Sequence, residues 1–143
     1  NIAGVILGDG SGRLALENLV QQLHLEDRVF FAGSRENVIP YYLGSDIFVF
    51  PTAHQEVLPM VLIEASAAGL PIVCSDIPGN DEIVSDGVNG FLVRGEEREY
   101  AEKILTLFNN SELYSKFSEN TLKFAANNFD AETCIDKIME IYG

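Results

Sequence analysis

Two glutamates, Glu56 and Glu64, lie eight positions apart on either side of a nearly unbroken apolar run, within HQEVLPMVLIEASAAGLP at residues 54–71. A carboxylate accepts hydrogen bonds from hydroxyl groups. Glu56 falls in the loop between a predicted strand and a predicted helix, so it can face a cleft. The first-turn N–H groups of Met60 and Val61 have no partner inside that helix and would point into the same space. The pattern predicts a carboxylate and a helix N-terminus in one pocket.

Glu64 belongs to a helix that looks apolar on every side. Its neighbours three and four positions away are Met60, Val61, Ala67 and Ala68. We therefore expect this helix to be buried, and a buried carboxylate costs roughly several kcal/mol unless something pairs with it. Two interpretations remain open: a partner within the fold, such as a core arginine or a helix cap, or the hydroxyl groups of a bound ligand.

A glycine turn follows the first predicted strand, with Gly8 and Gly10 on either side of an aspartate. A strand, a tight turn and a helix start together offer free N–H groups and a positive helix end to an anion. The dinucleotide fingerprint G-x-G-x-x-G is incomplete, because Arg13 stands where its third glycine would be, and the P-loop pattern is absent. A structural turn and a ligand contact both remain open.

Other residues with reactive side chains lack partners in the sequence. His24, His54 and Ser66 belong to no recognisable triad, because Ser66 stands in A-S-A within a helix and not at a G-x-S-x-G turn. No His, Asp and Glu set has ligand spacing on one element, so we predict no metal site. Structural or surface roles are expected for all three residues.

Alternating strands and helices must position these groups. Apolar runs predict strands, and 3.6-residue periodicity predicts helices. The predicted strands are 2–7, 28–33, 46–51, 70–76 and 90–93; the predicted helices are 14–23, 38–43, 58–69, a short one at 79–87, and two or three after residue 97. Continuous apolar strands between helices indicate an α/β class, a doubly wound, Rossmann-like parallel sheet. Ligands of such sheets bind beyond the carboxyl ends of the strands.

Length and charge limit the class of protein. A chain of 143 residues is the size of one domain, and its formal net charge of −13 argues against nucleic acid as a partner. No apolar run approaches the ~20 residues of a membrane span. Cys74 and Cys134 read as buried small side chains, which fits a reducing compartment. The chain starts at Asn1, directly before a strand, so we expect a piece of a longer protein.

Three stretches in this order carry a family resemblance: GVILGDGSGRLALENLVQQLHLEDRVFFAGSRENV, YYLGSDIFVFPTAHQEVLPMVLIEASAAGLPIV and DIPGNDEIVSDGVNGFLV. They resemble the C-terminal, nucleotide-sugar-binding domain of retaining GT-B glycosyltransferases of family 4. The resemblance covers about residues 4–93. It implies one half of a GT-B fold: a single donor-binding domain over 1–143, with a Rossmann-like core at about 1–95 and C-terminal helices at about 96–143.

The resemblance also implies a role for each glutamate of the E-x7-E pair. Glu56, as the catalytic residue, would hydrogen-bond the hydroxyl groups of the transferred sugar. Glu64 would hold the ribose hydroxyls of the nucleotide. Further donor contacts are implied at three places: the helix start, the glycine turn and the end of the second strand. These are Leu58, Pro59, Met60 and Val61 for the sugar and diphosphate, Gly8 and Gly10 for the diphosphate, and Ser34 and Arg35 for the base.

The activity implied is transfer of a hexosyl group, with retention, from a nucleotide-diphosphate sugar to a glycan or lipid-linked acceptor. The E-x-L-P-M-V-L-I-E-A form resembles enzymes of capsule, exopolysaccharide or lipopolysaccharide biosynthesis. Such enzymes need no metal or other cofactor. An N-terminal acceptor-binding domain would be missing here, so this chain alone is expected to be inactive. The implied location is cytoplasmic, or peripheral on the inner face of the membrane through the missing half.

The residue after Glu56 and two alternative classes of protein must be weighed against this interpretation. Val57 stands where the family usually has glycine, and a β-branched residue disfavours positive φ. A sugar-nucleotide 2-epimerase shares the two-domain architecture, but the E-x7-E pair and GNDEIV favour the transferase. A non-enzymatic, flavodoxin-like receiver domain would need a phosphoacceptor aspartate after a strand; Asp46 begins its strand, and Asp76 has no acidic pair after the first strand.

Overall fold

A computed structural model of the chain describes residues 2–53 and 58–129. The chain divides into two compact units, Asn1–Pro40 and Tyr41–Gly143. Strands pair in parallel in both, which confirms the predicted α/β class. Among the described residues, no helix combines the length and the apolar character needed to cross a bilayer.

The first unit is a parallel strand pair with one crossover helix. Strand β1 (Gly4–Leu7) leads through the glycine turn into α1 (Arg13–Gln22), and β2 (Val29–Gly33) returns beside β1. The register shifts after Ile6, so that Leu7 pairs with Gly33. The N–H of Gly8 then donates to the oxygen of Gly33 at 2.9 Å, which continues the pairing into the turn. The turn after β1 and the end of β2 are thereby held together.

The second unit is built on a three-stranded parallel sheet in the order β3-β4-β5. Its elements, after the short helix α2 (Ile39–Leu43) at the junction of the units, are β3 (Phe48–Phe50), α3 (Met60–Ala67), β4 (Ile72–Ser75), β5 (Gly90–Val93), α4 (Glu97–Asn109) and α5 (Ser111–Phe129). All four residues of the central strand β4 are buried. Its continuous apolar sequence reflects this burial on both faces.

The core of the second unit lies between this sheet and the two C-terminal helices. Val73 of β4, Phe91 and Val93 of β5, Leu107 of α4 and Phe117 of α5 form one buried cluster. The rings of Phe91 and Phe117 meet edge to face, with centroids 5.1 Å apart. Tyr100, Ile104 and Leu113, part of the helical spacing predicted after residue 97, pack against this cluster, whereas Leu105, Phe108 and Leu122 of the same pattern are exposed.

The short helix predicted at 79–87 is wrong, because this segment is a series of turns. The side-chain amides of two buried asparagines bond backbone groups in and beside this segment. The side-chain amide of Asn80 donates to the oxygen of Ser75 at 2.8 Å. That of Asn89 donates to the oxygen of Ile83 at 2.9 Å and accepts from the N–H of Ser85 at 2.7 Å. Asparagine competes with helical backbone pairing in this way.

Candidate functional site

Helix α3 presents Glu64 to solvent. Pro59 precedes the helix as its N-cap with extended backbone angles, and the helix ends at Ala67, close to the predicted 58–69. Packing against α5 and β4 buries Leu62, Ala65 and Ser66. The expectation that every face of this helix is buried was wrong, because Glu64 lies on the side facing away from these contacts and is exposed. Its charge therefore needs no compensation for burial.

Glu64 nevertheless has a partner within the fold. The hydroxyl of Tyr42 donates a hydrogen bond to Oε2 of Glu64 at 2.8 Å. Tyr42 is buried, and its ring lies against Phe48 with centroids 5.6 Å apart. Burial, and secondly the hydrogen bond to Glu64, raise the pKa of the Tyr42 hydroxyl, so it remains protonated and a donor. The internal partners expected from the sequence were a core arginine or a helix cap, and this tyrosine was not predicted.

The start of α3 presents backbone and apolar surface. Pro59 is buried and its oxygen accepts the N–H of Leu62 at 3.0 Å, while Leu58 and Met60 are exposed and Val61 is half-buried. Proline at the N-cap has no polar side chain with which to accept the first-turn N–H groups. Pro59 therefore does not neutralise the positive end of the helix, the end at which anions bind.

In the first unit, the side chain of Asp9 ties the glycine turn to the end of β2. One carboxylate oxygen accepts from the guanidinium of Arg13, and Oδ2 accepts from the N–H of Ser34 at 3.0 Å. Gly8 has φ 113°, a conformation that only glycine adopts readily, so the turn depends on it. The sequence predicted Ser34 as a donor-binding residue through its backbone; the structure shows its N–H already bonded to Asp9.

Arg13 is the centre of a small ionic cluster. Its guanidinium bonds Asp9 and also Glu17, with Nε and Oε1 2.7 Å apart, and lies over the ring of Phe31 at 5.9 Å. The hydrogen bonds from Arg13 and from the N–H of Ser34 hold the pKa of Asp9 below its usual range, and the bonds to Asp9 and Glu17 raise the pKa of Arg13. Asp9 was not predicted as a site residue, although an aspartate between two turn glycines often hydrogen-bonds the nearby backbone.

A cavity of about 270 Å³ opens beside this cluster. Apolar groups from both strands form much of its wall, and the glycine turn forms the rest. Its lining residues are Ile6, Leu7, Gly8, Asp9, Gly10, Gly12, Arg13, Leu16 and Phe31. Gly8 and Gly10, predicted together from the sequence, thus share one concave surface.

Comparison with known proteins decides the family. Residues 1–124 match the family described as Glycosyl transferases group 1. The chain belongs to this family. Among curated group 1 relatives, N-acetyl-alpha-D-glucosaminyl L-malate synthase of Bacillus anthracis is 29% identical over 96% of this chain, and UDP-Gal:alpha-D-GlcNAc-diphosphoundecaprenol alpha-1,3-galactosyltransferase of Escherichia coli is also 29% identical over 96%. The chain spans 36% of the length of each.

Solved glycosyltransferase structures share the fold. Anabaena Alr3699/HepE in complex with UDP superposes with a TM-score of 0.90 at 28% identity, over 99% of this chain and 40% of that one. The same protein in complex with UDP-glucose gives 0.87 at 30% identity, over 98% and 40%. The family and the predicted half of a GT-B fold are therefore confirmed.

The structure brings the predicted group 1 site residues together in two sets, one in each unit. The first unit holds Gly8, Gly10, Ser34 and Arg35 around the carboxyl ends of β1 and β2; the second holds Leu58, Pro59, Met60, Val61 and Glu64 along the first turns of α3. Glu56, Val57 and His54 lie outside the described residues, so the catalytic role of Glu56 stays a prediction.

The remaining candidates occupy structural positions. Ser66 is fully buried, and its hydroxyl has no hydrogen-bond partner among the described residues, which does not suit a nucleophile. His24 lies in an exposed turn after α1 with φ 54°. Across 2–53 and 58–129, no three His, Cys, Asp or Glu side chains are placed to hold a metal ion.

Proposed function

We propose that this chain is the donor-binding half of a glycosyltransferase and binds the nucleotide of a nucleotide-diphosphate sugar. The observation that carries the proposal is Glu64, an exposed carboxylate on α3 that accepts, from the residues the structure describes, a single hydrogen bond, at Oε2 from Tyr42. An ionised carboxylate has about four acceptor sites, so most of the capacity of Glu64 is left for a ligand. A pair of vicinal hydroxyl groups, as on ribose, matches that capacity.

The roles of the other residues follow from the chemistry of glycosyl transfer. Negative charge grows on the leaving diphosphate in the transition state, and fixed N–H donors stabilise it most where it develops. The start of α3, from Leu58 to Val61, would supply such donors for the sugar and diphosphate. Gly8 and Gly10 would approach the diphosphate through backbone groups. Glu56 would bind the hydroxyls of the transferred sugar.

The proposal also names the donor sugar nucleotide, the stereochemical outcome of transfer and the acceptor. UDP and UDP-glucose are bound by the similar Anabaena protein, so we propose a UDP-hexose as the first donor to test. Backbone groups near Ser34 and Arg35 would bracket the base. Transfer would proceed with retention, without a metal, onto a glycan or lipid-linked acceptor held by a further, N-terminal domain. A capsule, exopolysaccharide or lipopolysaccharide pathway is the proposed setting, as for the LpsE relative of Rhizobium meliloti.

Calorimetric or ligand-observed NMR titration of the 143-residue chain with UDP, GDP and ADP, and with their sugars, tests the proposal. Glu64→Ala should weaken UDP roughly tenfold to hundredfold, because a hydrogen bond to a charged group contributes about 1.5–3 kcal/mol. Glu56→Ala should weaken UDP-glucose more than UDP. Glu102→Ala removes an equally charged, exposed carboxylate on α4 and should leave both affinities unchanged. Equal UDP affinity for the wild type and Glu64→Ala would reject the ribose assignment.

A further inference from the structure

We propose that Tyr42 is a positioning residue that fixes how Glu64 presents its carboxylate to the ribose of the donor. The proposal rests on the function proposed above for Glu64, and it extends that function to a residue outside the E-x7-E pair. The contact that supports it is the 2.8 Å hydrogen bond from the Tyr42 hydroxyl to Oε2 of Glu64.

The two partners differ in how firmly they are held. Tyr42 is 8% exposed, and its ring is fixed against Phe48 of β3. Glu64 is exposed on α3, where a glutamate would otherwise sample several rotamers. A rigid donor that reaches an exposed carboxylate selects the rotamers in which Oε2 points towards it. The geometry of the fold, and not the ligand, therefore sets the direction of the carboxylate.

The arrangement suits recognition of a diol. With one acceptor site on Oε2 occupied, Oε1 and the remaining site on Oε2 can accept two hydroxyl groups. A side chain that is already ordered loses less conformational freedom when the ligand binds, which improves affinity without a new ligand contact. A tyrosine hydroxyl is protonated in the neutral range, and burial raises the pKa of Tyr42 further, so its hydroxyl remains a donor there.

A purely structural role for Tyr42 would have a different signature. If its ring and hydroxyl served only the packing of the second unit, loss of the hydroxyl would weaken every uridine nucleotide by the same factor. If the hydroxyl acts through Glu64, the loss must depend on the ribose hydroxyls that Glu64 binds. A nucleotide that lacks one of these hydroxyls separates the two cases.

The test compares UDP with 2′-deoxy-UDP and 3′-deoxy-UDP in titrations of the wild type, Tyr42→Phe and Tyr41→Phe. Tyr41→Phe is the matched control, because it removes the same atom from the neighbouring, half-buried residue. We expect Tyr42→Phe to bind UDP about three- to tenfold more weakly, the cost of restoring freedom to one side chain. Each deoxynucleotide lacks one of the two hydroxyls that Glu64 would bind, so the loss should be smaller than for UDP with both and below about twofold with at least one. Tyr41→Phe should differ from the wild type by less than about twofold throughout.

Equal losses for UDP and for both deoxynucleotides, or no loss for Tyr42→Phe, would overturn the positioning role while leaving the proposed function intact. A wild type that binds no nucleotide would overturn both. A second readout needs no variant: in the wild type, the Tyr42 hydroxyl proton and the Glu64 carboxyl carbon should shift together in NMR spectra when UDP is added. Shifts of equal size with all three nucleotides would also reject the proposal.

Discussion

Gly90 marks a very close approach between β4 and β5, and its replacement by alanine has a cost that can be worked out. A Cβ atom there would lie 2.4 Å from the backbone oxygen of Ile72 and 2.7 Å from Cγ1 of Val84. Ordinary contacts of these kinds lie at roughly 3.3–4.0 Å, so the methyl group overlaps both by about 1 Å. The oxygen of Ile72 belongs to the paired strand and cannot rotate away. We expect Gly90→Ala to lower the free energy of unfolding by about 3 kcal/mol, the upper end of overpacking costs.

Gly95→Ala is the matched control. Its Cβ would lie equally close, 2.5 Å, to an atom of another kind, Oε2 of Glu99 at the end of a flexible side chain. Rotation of Glu99 relieves the overlap and gives up one exposed hydrogen bond to the Gly95 N–H, so the cost should stay below about 1 kcal/mol. Neither glycine has left-handed backbone angles, so backbone strain does not enter.

Urea and thermal unfolding, followed by circular dichroism, measure the free energy of unfolding and the melting temperature of both variants. A difference of about 2 kcal/mol corresponds to a melting temperature lower by roughly 5–15 °C for Gly90→Ala than for Gly95→Ala. If the two variants unfold within about 0.5 kcal/mol of each other, the sheet absorbs the methyl group, and the argument from a rigid backbone neighbour is refuted.

Two ionisable groups give further predictions. The lowered pKa of Asp9 means that its bond to Arg13 stabilises the fold fully at neutral pH and is lost as the pH falls below about 4; Asp9→Asn should therefore lose less stability than the wild type between pH 7 and pH 3, and identical acid profiles would contradict this. Burial, with a smaller effect from the charge of Asp76, raises the pKa of the Cys74 thiol to about 12. In a Cys134→Ser background, a disulfide reagent should modify Cys74 at pH 8 only in denaturant, and fast modification of the native chain would show that the thiol is accessible.

The fold followed from the sequence where local pattern and tertiary packing agree. The apolar runs predicted all five strands of the described residues. The reason is clearest at β4, which is buried throughout and therefore needs apolar residues on both faces. The helix predicted at 79–87 was wrong because local pattern and tertiary contacts disagree there. A sequence pattern reports which residues favour a helix. The side chains of Asn80 and Asn89 instead stabilise turns in this segment, through bonds to particular carbonyl and N–H groups. Such bonds leave no periodic trace in a sequence.

For Glu64, the sequence indicated the secondary structure better than the surroundings. The apolar run with Pro59 near its start and Gly69 at its end predicted a helix at 58–69 that carries Glu64, and the structure has this helix at Met60–Ala67. Its exposure was not predictable from neighbours in sequence, because the direction in which α3 packs is set by α5, far along the chain. Tyr42 was missed because its hydroxyl reaches Glu64 from a residue 22 positions away.

The turn segment beside β5 also bears on the chemical ageing of the chain. Asn89 precedes Gly90, and an asparagine followed by glycine is the sequence in which the side chain most readily cyclises onto the next backbone nitrogen and loses ammonia. Here Asn89 is 2% exposed, and its side-chain oxygen and nitrogen are both bonded, to Ser85 and Ile83. The two bonds prevent the side chain of Asn89 from rotating to bring its carbonyl carbon to the backbone nitrogen of Gly90, as cyclisation requires. These two bonds to the turn backbone therefore protect the most labile asparagine of this segment for as long as the turns stay closed.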